Sequence, residues 1–361
     1  MLSNNKITAR QTVIIFLVST LSAAIRLFPS ETAVISEEAS WLTPLVAVLP
    51  LLLNFFVLDR IFRNNSYNNL GAFFEAALGK IIGKALLTVF LLWSLILFML
   101  YIRYYADRLL SSIFTGTDIR FFLLIMMLLV FMATRGHVVV FARFAELAFI
   151  AFFSFMFIFF IMLIPSVKIE NILPVTYYDI IPVVKVSYSV AGIWCYLPLL
   201  FFFGDDITNK NQIKDYKGKT AVLLAVTCIL LILTVVGSIG PKVIQRMPLP
   251  FFNAVKIIAI SQLFERMESV LLSIWVASDF VVISAFAYII IGICKQLFGI
   301  NEGKYLSAPL ALLGYSGSLY LAASRFELHL FSNKFGLPMN IITCIIIPFI
   351  VMVIGKLRRK I

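Results

Sequence analysis

The sequence predicts an all-α polytopic membrane protein with ten transmembrane helices, and three observations carry that prediction. Of 361 residues, 61% are hydrophobic and only 13% charged, about half the charged fraction of soluble domains, roughly 25%; the mean hydropathy is +1.01. The apolar residues gather in runs near the ~20 residues needed to cross the hydrocarbon core of a bilayer. Basic residues crowd alternate loops, the asymmetry that orients membrane helices. Together these exclude a soluble globule, and also a disordered chain, which would be poor in apolar residues. Cys195, Cys228, Cys294 and Cys344 all sit in apolar runs without a C-x-x-C pair, so neither a disulfide scaffold nor a thiolate metal site is expected.

In chain order the expected spans lie at about 11–30, 42–58, 85–110, 119–134, 143–164, 184–203, 220–237, 269–294, 305–323 and 338–356. The first run is long and no small-residue cleavage site follows it, so no cleavable leader is expected. Loops are short, so the chain reads as one transmembrane domain over 1–361, with spans 1–5 at about 11–164 and spans 6–10 at about 184–356. Ten spans put both termini on one side. Placing them inside puts 18 of the 30 Lys and Arg there, but only seven of the 18 Asp and Glu. That bias accounts for most of the net charge of +12 without nucleic acid. Two segments have a helical apolar period but are not spans: 70–84 reads as an interfacial helix on the inside before span 3, and 250–264 as a similar one outside before span 8.

Spans 1 and 6 share a pattern of small residues ahead of a proline. Span 1 has Ser22-Ala23-Ala24, then Arg26 and Pro29; span 6 has Ser189, Ala191 and Gly192, then Pro198. The prolines lie nearly half the chain apart, in spans of opposite direction. Paired interrupted helices in oppositely oriented halves mark inverted-repeat carriers, where opened backbone near the midplane offers free N–H and C=O groups to a substrate. Proline and small residues also kink and pack membrane helices without any ligand, and Pro44 and Pro50 of span 2 belong to that second reading.

An ionisable group within a span calls for a functional hypothesis. Asp279, about ten residues into span 8, has three open readings: binding a substrate amine, relaying a proton, or pairing with a basic residue of another span. Arg26, Arg103, Asp107 and Arg108 lie near outer ends, where snorkelling or mutual pairing suffices, and Asp107 is one turn from Arg103. Arg143 and Glu146, i and i+3 at the start of span 5, read as a local ion pair or an inside gate. Tyr101 in span 3 and Ser284 and Tyr288 in span 8 carry hydroxyls that either bind a polar ligand or bond to neighbouring helices. There is no phosphate-binding loop, dinucleotide fingerprint, zinc-protease motif or serine elbow, and His137 and His329 lie far apart in boundary loops. No enzyme activity, cofactor or metal is expected.

Four segments carry a family resemblance: Lys6-Ile7-Thr8-Ala9-Arg10-Gln11; Arg135-Gly136 followed by Ala142-Arg143-Phe144-Ala145-Glu146; Met247-Pro248-Leu249-Pro250; and Phe264-Glu265-Arg266-Met267-Glu268-Ser269 running on to Ile274-Trp275-Val276. With these, ten spans and this length, the whole chain resembles the B subunits of spore germinant receptors, GerA-type permeases of the amino acid–polyamine–organocation superfamily. The resemblance implies a leucine-transporter-like 5+5 inverted repeat with broken helices 1 and 6, residence in the inner membrane of the bacterial spore, and assembly with an A subunit and a lipoprotein C subunit. It implies a germinant, often an amino acid, bound between spans 1, 3, 6 and 8. Carried over, the pocket comprises Ser22, Ala23, Ala24, Tyr101, Ala191, Gly192, Ile193, Ser284 and Tyr288. Two departures stand out: Ser22-Ala23-Ala24 where the family commonly has glycine, and Ala39-Ser40 where an acid would precede Trp41. The Glu265, Arg266 and Glu268 cluster either caps span 8 or meets a partner subunit.

Three functions are therefore carried forward: a germinant-sensing subunit acting through its partner subunits, an ion-coupled amino acid transporter with the same pocket, and a membrane scaffold without a ligand.

Overall fold

The structure, a computed structural model, describes residues 5–64, 66–112, 114, 116–259, 267–322 and 324–360. It is all-helical apart from one small strand pair. Ile7–Thr8 (β1) lies parallel to Ile207–Thr208 (β2), and the Thr208 hydroxyl donates to the Ile7 carbonyl at 3.0 Å. Helix α1 (Ala9–Ser36) begins at Thr8 in a reciprocal capping box. The Gln11 N–H donates to the Thr8 hydroxyl and the Thr8 N–H to the Gln11 side chain. Every residue of α1 from Thr12 to Arg26 is buried. A helix covered on all sides belongs at the centre of its bundle, and α1 packs on four later helices: α6 (Val138–Leu163), α7 (Ile180–Trp194), α9 (Lys217–Ile239) and α12 (Met267–Phe298).

Around this centre stand α2 (Thr43–Phe62), α3 (Leu70–Leu78), α4 (Lys80–Ser112) and α5 (Ile119–Arg135). The short α8 (Leu197–Leu200), α10 (Pro241–Ile244) and α11 (Pro250–Ala259) connect the middle of the chain. After α13 (Ser307–Tyr320), three helices run end to end: α14 (Arg325–Phe331), α15 (Leu337–Ile341) and α16 (Ile347–Leu357). Two single π turns, Ser332–Gly336 and Ile342–Ile346, join them. Seven described stretches are long and apolar enough to cross a membrane, the first being Ala9–Phe62 with both α1 and α2 in it. Helices α5, with 17 residues, and α13, with 14, are not among those seven stretches. The chain is a multi-pass membrane protein by these stretches.

Two expected boundaries move. Segment 70–84 is not one helix: Gly79, at φ +92°, ends α3, and residues 80–84 open α4 instead. Only the part of 250–264 up to Ala259 is described, as α11.

The expected interruption of span 1 is absent. Helix α1 continues through Pro29 to Ser36. Ser22-Ala23-Ala24 contains no glycine, and alanine is the strongest helix former. Around the proline, hydroxyls take up backbone carbonyls: Ser30 donates to Leu27 O at 3.1 Å and Thr32 to Phe28 O at 2.6 Å. Span 6 is interrupted. Helix α7 stops at Trp194, a turn covers Cys195 and Tyr196, and α8 then opens with Pro198 near its start. Proline has no N–H to return to the carbonyl four residues back, so the Trp194 carbonyl loses its helical donor.

Candidate functional site

The centre of the bundle holds two polar nodes. The first joins α1, α4 and α12. Asp279 and Trp275 lie one turn apart on α12, so they share a face. Arg108 of α4 grips the Asp279 carboxylate with both ends of its fork, Nη1 to Oδ2 at 2.8 Å and Nη2 to Oδ1 at 3.1 Å. The Ser22 hydroxyl of α1 donates to the same Oδ1 at 2.8 Å. The Arg108 guanidinium also sits 4.0 Å from the Trp275 ring centre, and the Trp275 indole N–H donates to Ser22 O at 3.3 Å. Of the three readings of Asp279, the geometry is that of pairing with another span.

The second node surrounds the break after α7. Such a break frees carbonyls, and here side-chain amides take them. Asn340 of α15 donates to Gly192 O at 2.9 Å and to the Tyr196 hydroxyl at 3.0 Å, while its own oxygen accepts from the Trp93 indole at 3.0 Å. Asn54 of α2 donates to Cys195 O at 3.3 Å. The opened backbone expected to meet a substrate thus already has partners at Gly192 and Cys195. Tyr101 and Tyr196 hydroxyls lie 3.3 Å apart, and the rings of Tyr101, Tyr196 and Phe286 pack at centroid distances of 5.3 to 6.1 Å.

Cavities approach these nodes from both ends. One, of about 360 Å³, lies near the termini and is lined by Asn5, Arg135, His137, Asp206, Tyr288 and Lys295 among others. At its rim, hydrogen bonding to Lys304 holds the Glu302 carboxyl below its usual range. The other, of about 420 Å³, lies at the opposite end and is lined by Arg26, Asp107, Arg108, Arg246, Arg325 and His329 among others. Adjoining the second cavity at Arg26 and Tyr104 is a small void of about 20 Å³, bounded also by Tyr101, Ile193, Tyr196 and Asn340, little more than the space of one water.

The residues expected to line one pocket are therefore divided. Tyr101 and Ile193 face the central void. Ser22 is engaged with Asp279, and Ala23 and Ala24 are buried beside it in α1. Ala191 is buried; Gly192 is a packing point, where an added Cβ would lie 2.7 Å from Leu337 Cδ2. Ser284 is fully buried, and its hydroxyl has no partner among the described residues. Tyr288 turns to the termini-side cavity and donates to Ala133 O at 2.7 Å.

The boundary motifs also resolve. Arg103 and Asp107 form the expected pair at 3.4 Å. Arg143 and Glu146 do not pair among the described residues: Arg143 is exposed, and Glu146 accepts from Gln11 of α1 at 3.4 Å. A cross-helix partner took the acid that i, i+3 spacing alone would give to arginine. Glu268 lies 3.7 Å from Lys256 of α11; Glu265 and Arg266 lie outside the described residues.

Sequence reasoning missed Tyr196 and Asn340, whose partners come from remote helices. It also left Arg26 to snorkelling or to pairing with the charges near it. Arg26 is instead 5% exposed, its guanidinium 3.4 Å from the Tyr104 ring centre. Its Nε and Nη1 have no hydrogen-bond partner among the described residues, an arrangement that costs about 1–3 kcal/mol or more per buried donor.

A family model described as spore germination protein matches residues 6–325. Comparison with curated proteins finds no match to the chain.

Proposed function

Because the chain belongs to the spore germination protein family, we propose that it is the nutrient-sensing membrane subunit of a germination receptor, of the B type. In this reading it resides in the spore inner membrane with both termini inside, as one transmembrane domain of ten helices in two inverted halves. It binds a small germinant between α1, α4, α7 and α12 and passes the change to an A subunit and a lipoprotein C subunit.

One observation carries the reading: the outer cavity adjoins, at Arg26, Leu27 and Tyr104, a void about the size of a water, closed by Tyr101, Tyr196, Ile193 and Asn340. A nutrient fits there only by moving those side chains or the helices that bear them. Binding is then linked to a change of conformer, and a ligand shifts such an equilibrium only through its differential affinity for the two states. Tyr101 and Ile193 are the germinant contacts in this reading; Ser22, Ala23, Ala24, Ala191 and Gly192 shape the helices around them, and Ser284 and Tyr288 lie toward the termini side.

The test is germination of spores carrying this protein and its partner subunits as the only receptor, across amino acids, sugars and nucleosides. Ile193→Trp should fill the void and raise the effective nutrient concentration at unchanged receptor level. An unaltered dose–response would remove the central void from the reading.

The paired cavities also favour a second reading, an ion-coupled amino acid transporter. Steady uptake of labelled nutrient into vesicles supports transport; saturable binding without uptake supports sensing.

A further inference from the structure

Three buried arginines stand at the end of the bundle away from the termini, and two of them have an acid. Arg108 holds Asp279, and Arg103 lies beside Asp107. Arg26 forms no ion pair among the described residues, although it is 95% buried on α1 and lines both the central void and the outer cavity. The Tyr104 ring meets the face of its charge. A ring face accepts none of the in-plane N–H groups, so the edges of the fork remain open to a planar acceptor with two oxygens.

The neighbouring acids are already engaged. Glu31, at the void, lies 3.1 Å from His329 and accepts from Asn333 at 3.3 Å. Arg325, on the same wall, donates to Ser111 Oγ at 3.0 Å and to Pro248 O at 2.7 Å. The cavity that Arg26 shares with Arg108, Arg246 and Arg325 contains a single acid, Asp107, which Arg103 holds. This wall of the protein carries more arginine than carboxylate.

We propose that Arg26 is the anchor for a ligand carboxylate. A small molecule bearing a carboxylate enters through the outer cavity and places that group on the free edge of the Arg26 fork. The rest of the molecule points toward Tyr101, Ile193 and Asn340. The proposal rests on the sensing reading and names the ligand class for it. It singles out a carboxylate because two parallel N–H···O bonds match that group in shape as well as charge.

The experiment measures thermal unfolding of the purified full-length protein in detergent. The probes are L-alanine, L-valine, L-asparagine and propionate, each against its carboxamide, with inorganic phosphate alongside. At least one carboxylate should raise the unfolding temperature saturably while its amide does not. Arg26→Gln should raise the half-saturating concentration roughly 30-fold or more, and Arg26→Lys by less, since it keeps the charge and loses the fork. Ser30→Glu keeps Arg26 and offers it an acid one turn away on the same cavity wall. It should abolish the carboxylate effect.

A carboxylate that acts equally on wild type and Arg26→Gln overturns the proposal. So does stabilisation by phosphate alone, or no response of the wild type to any carboxylate. Germination assays separate this failure from that of the sensing reading. Spores with Arg26→Gln that still respond normally, while Ile193→Trp spores do not, keep the sensor and discard the anchor.

Discussion

Asp279 shows what a charge buried among helices requires. The carboxylate has both oxygens engaged by Arg108 and one also by Ser22, and both side chains of the pair are 3% exposed. Removing one partner leaves the other charge buried and uncompensated, at about 3–5 kcal/mol. Asp279→Asn should therefore lower the unfolding temperature sharply. Asp279→Leu combined with Arg108→Met should recover most of the loss, because two apolar side chains leave no orphan charge. Strictly additive losses in that double variant would show that the pair is not coupled. Asp279 was legible in the sequence as an acid in an apolar run. Its partner was not, since Arg108 stands 171 positions earlier and its place near the end of a span made snorkelling or mutual pairing among the nearby charges a sufficient reading. Arg26 was misread for the same reason: depth along a helix is visible in a sequence, but which way the side chain turns is decided by Tyr104.

At the level of elements, helix contacts depend on glycines of unequal tolerance. A Cβ on Gly292 of α12 would lie 2.7 Å from the Phe202 carbonyl oxygen and 3.0 Å from its carbon, both backbone; on Gly192 of α7 it would meet the tip of Leu337. A leucine tip can rotate away, whereas backbone must shift. Gly292→Ala should cost about 1–3 kcal/mol as overpacking, and Gly192→Ala distinctly less. Equal losses in thermal unfolding would contradict this reading of the contacts. Asn340→Leu should rank with the more severe changes, since Gly192 O, Tyr196 Oη and the Trp93 indole lose a partner together, at about 1–3 kcal/mol for each orphaned group. Most elements were legible because runs of apolar residues near membrane length leave little choice. Proline alone did not tell a broken helix from a whole one. Pro198 follows a glycine and lies just past the end of α7; Pro29 follows alanines and serine, and α1 continues through it to Ser36. The opening motif had a local meaning that spacing did carry, since Thr8 and Gln11 sit three apart as a capping box requires.

Across the whole molecule, the two cavities impose a test of sidedness. Arg246 lines one and Glu302 the other. With Cys195, Cys228, Cys294 and Cys344 replaced, Arg246→Cys and Glu302→Cys should react with an impermeant thiol reagent from opposite faces of sealed vesicles; labelling from the same face would refute the arrangement. Architecture at this scale was only partly readable, because it depends on pairings between residues hundreds of positions apart. The small β1–β2 pair is the plainest example, and it bears on how the protein is made. Ile7 and Thr8 leave the ribosome early, yet their partners Ile207 and Thr208 follow 200 residues later, about 10–40 s at usual elongation rates. Asp279, which receives the Ser22 hydroxyl, is made later still. The first helix must therefore wait in the membrane with its Ser22 hydroxyl unpaired with Asp279 while more than half of the chain is synthesised. A nascent chain halted before residue 207 would present these groups to lipid and to quality-control proteases, so messages truncated in the middle should yield rapidly cleared fragments rather than stable half-proteins.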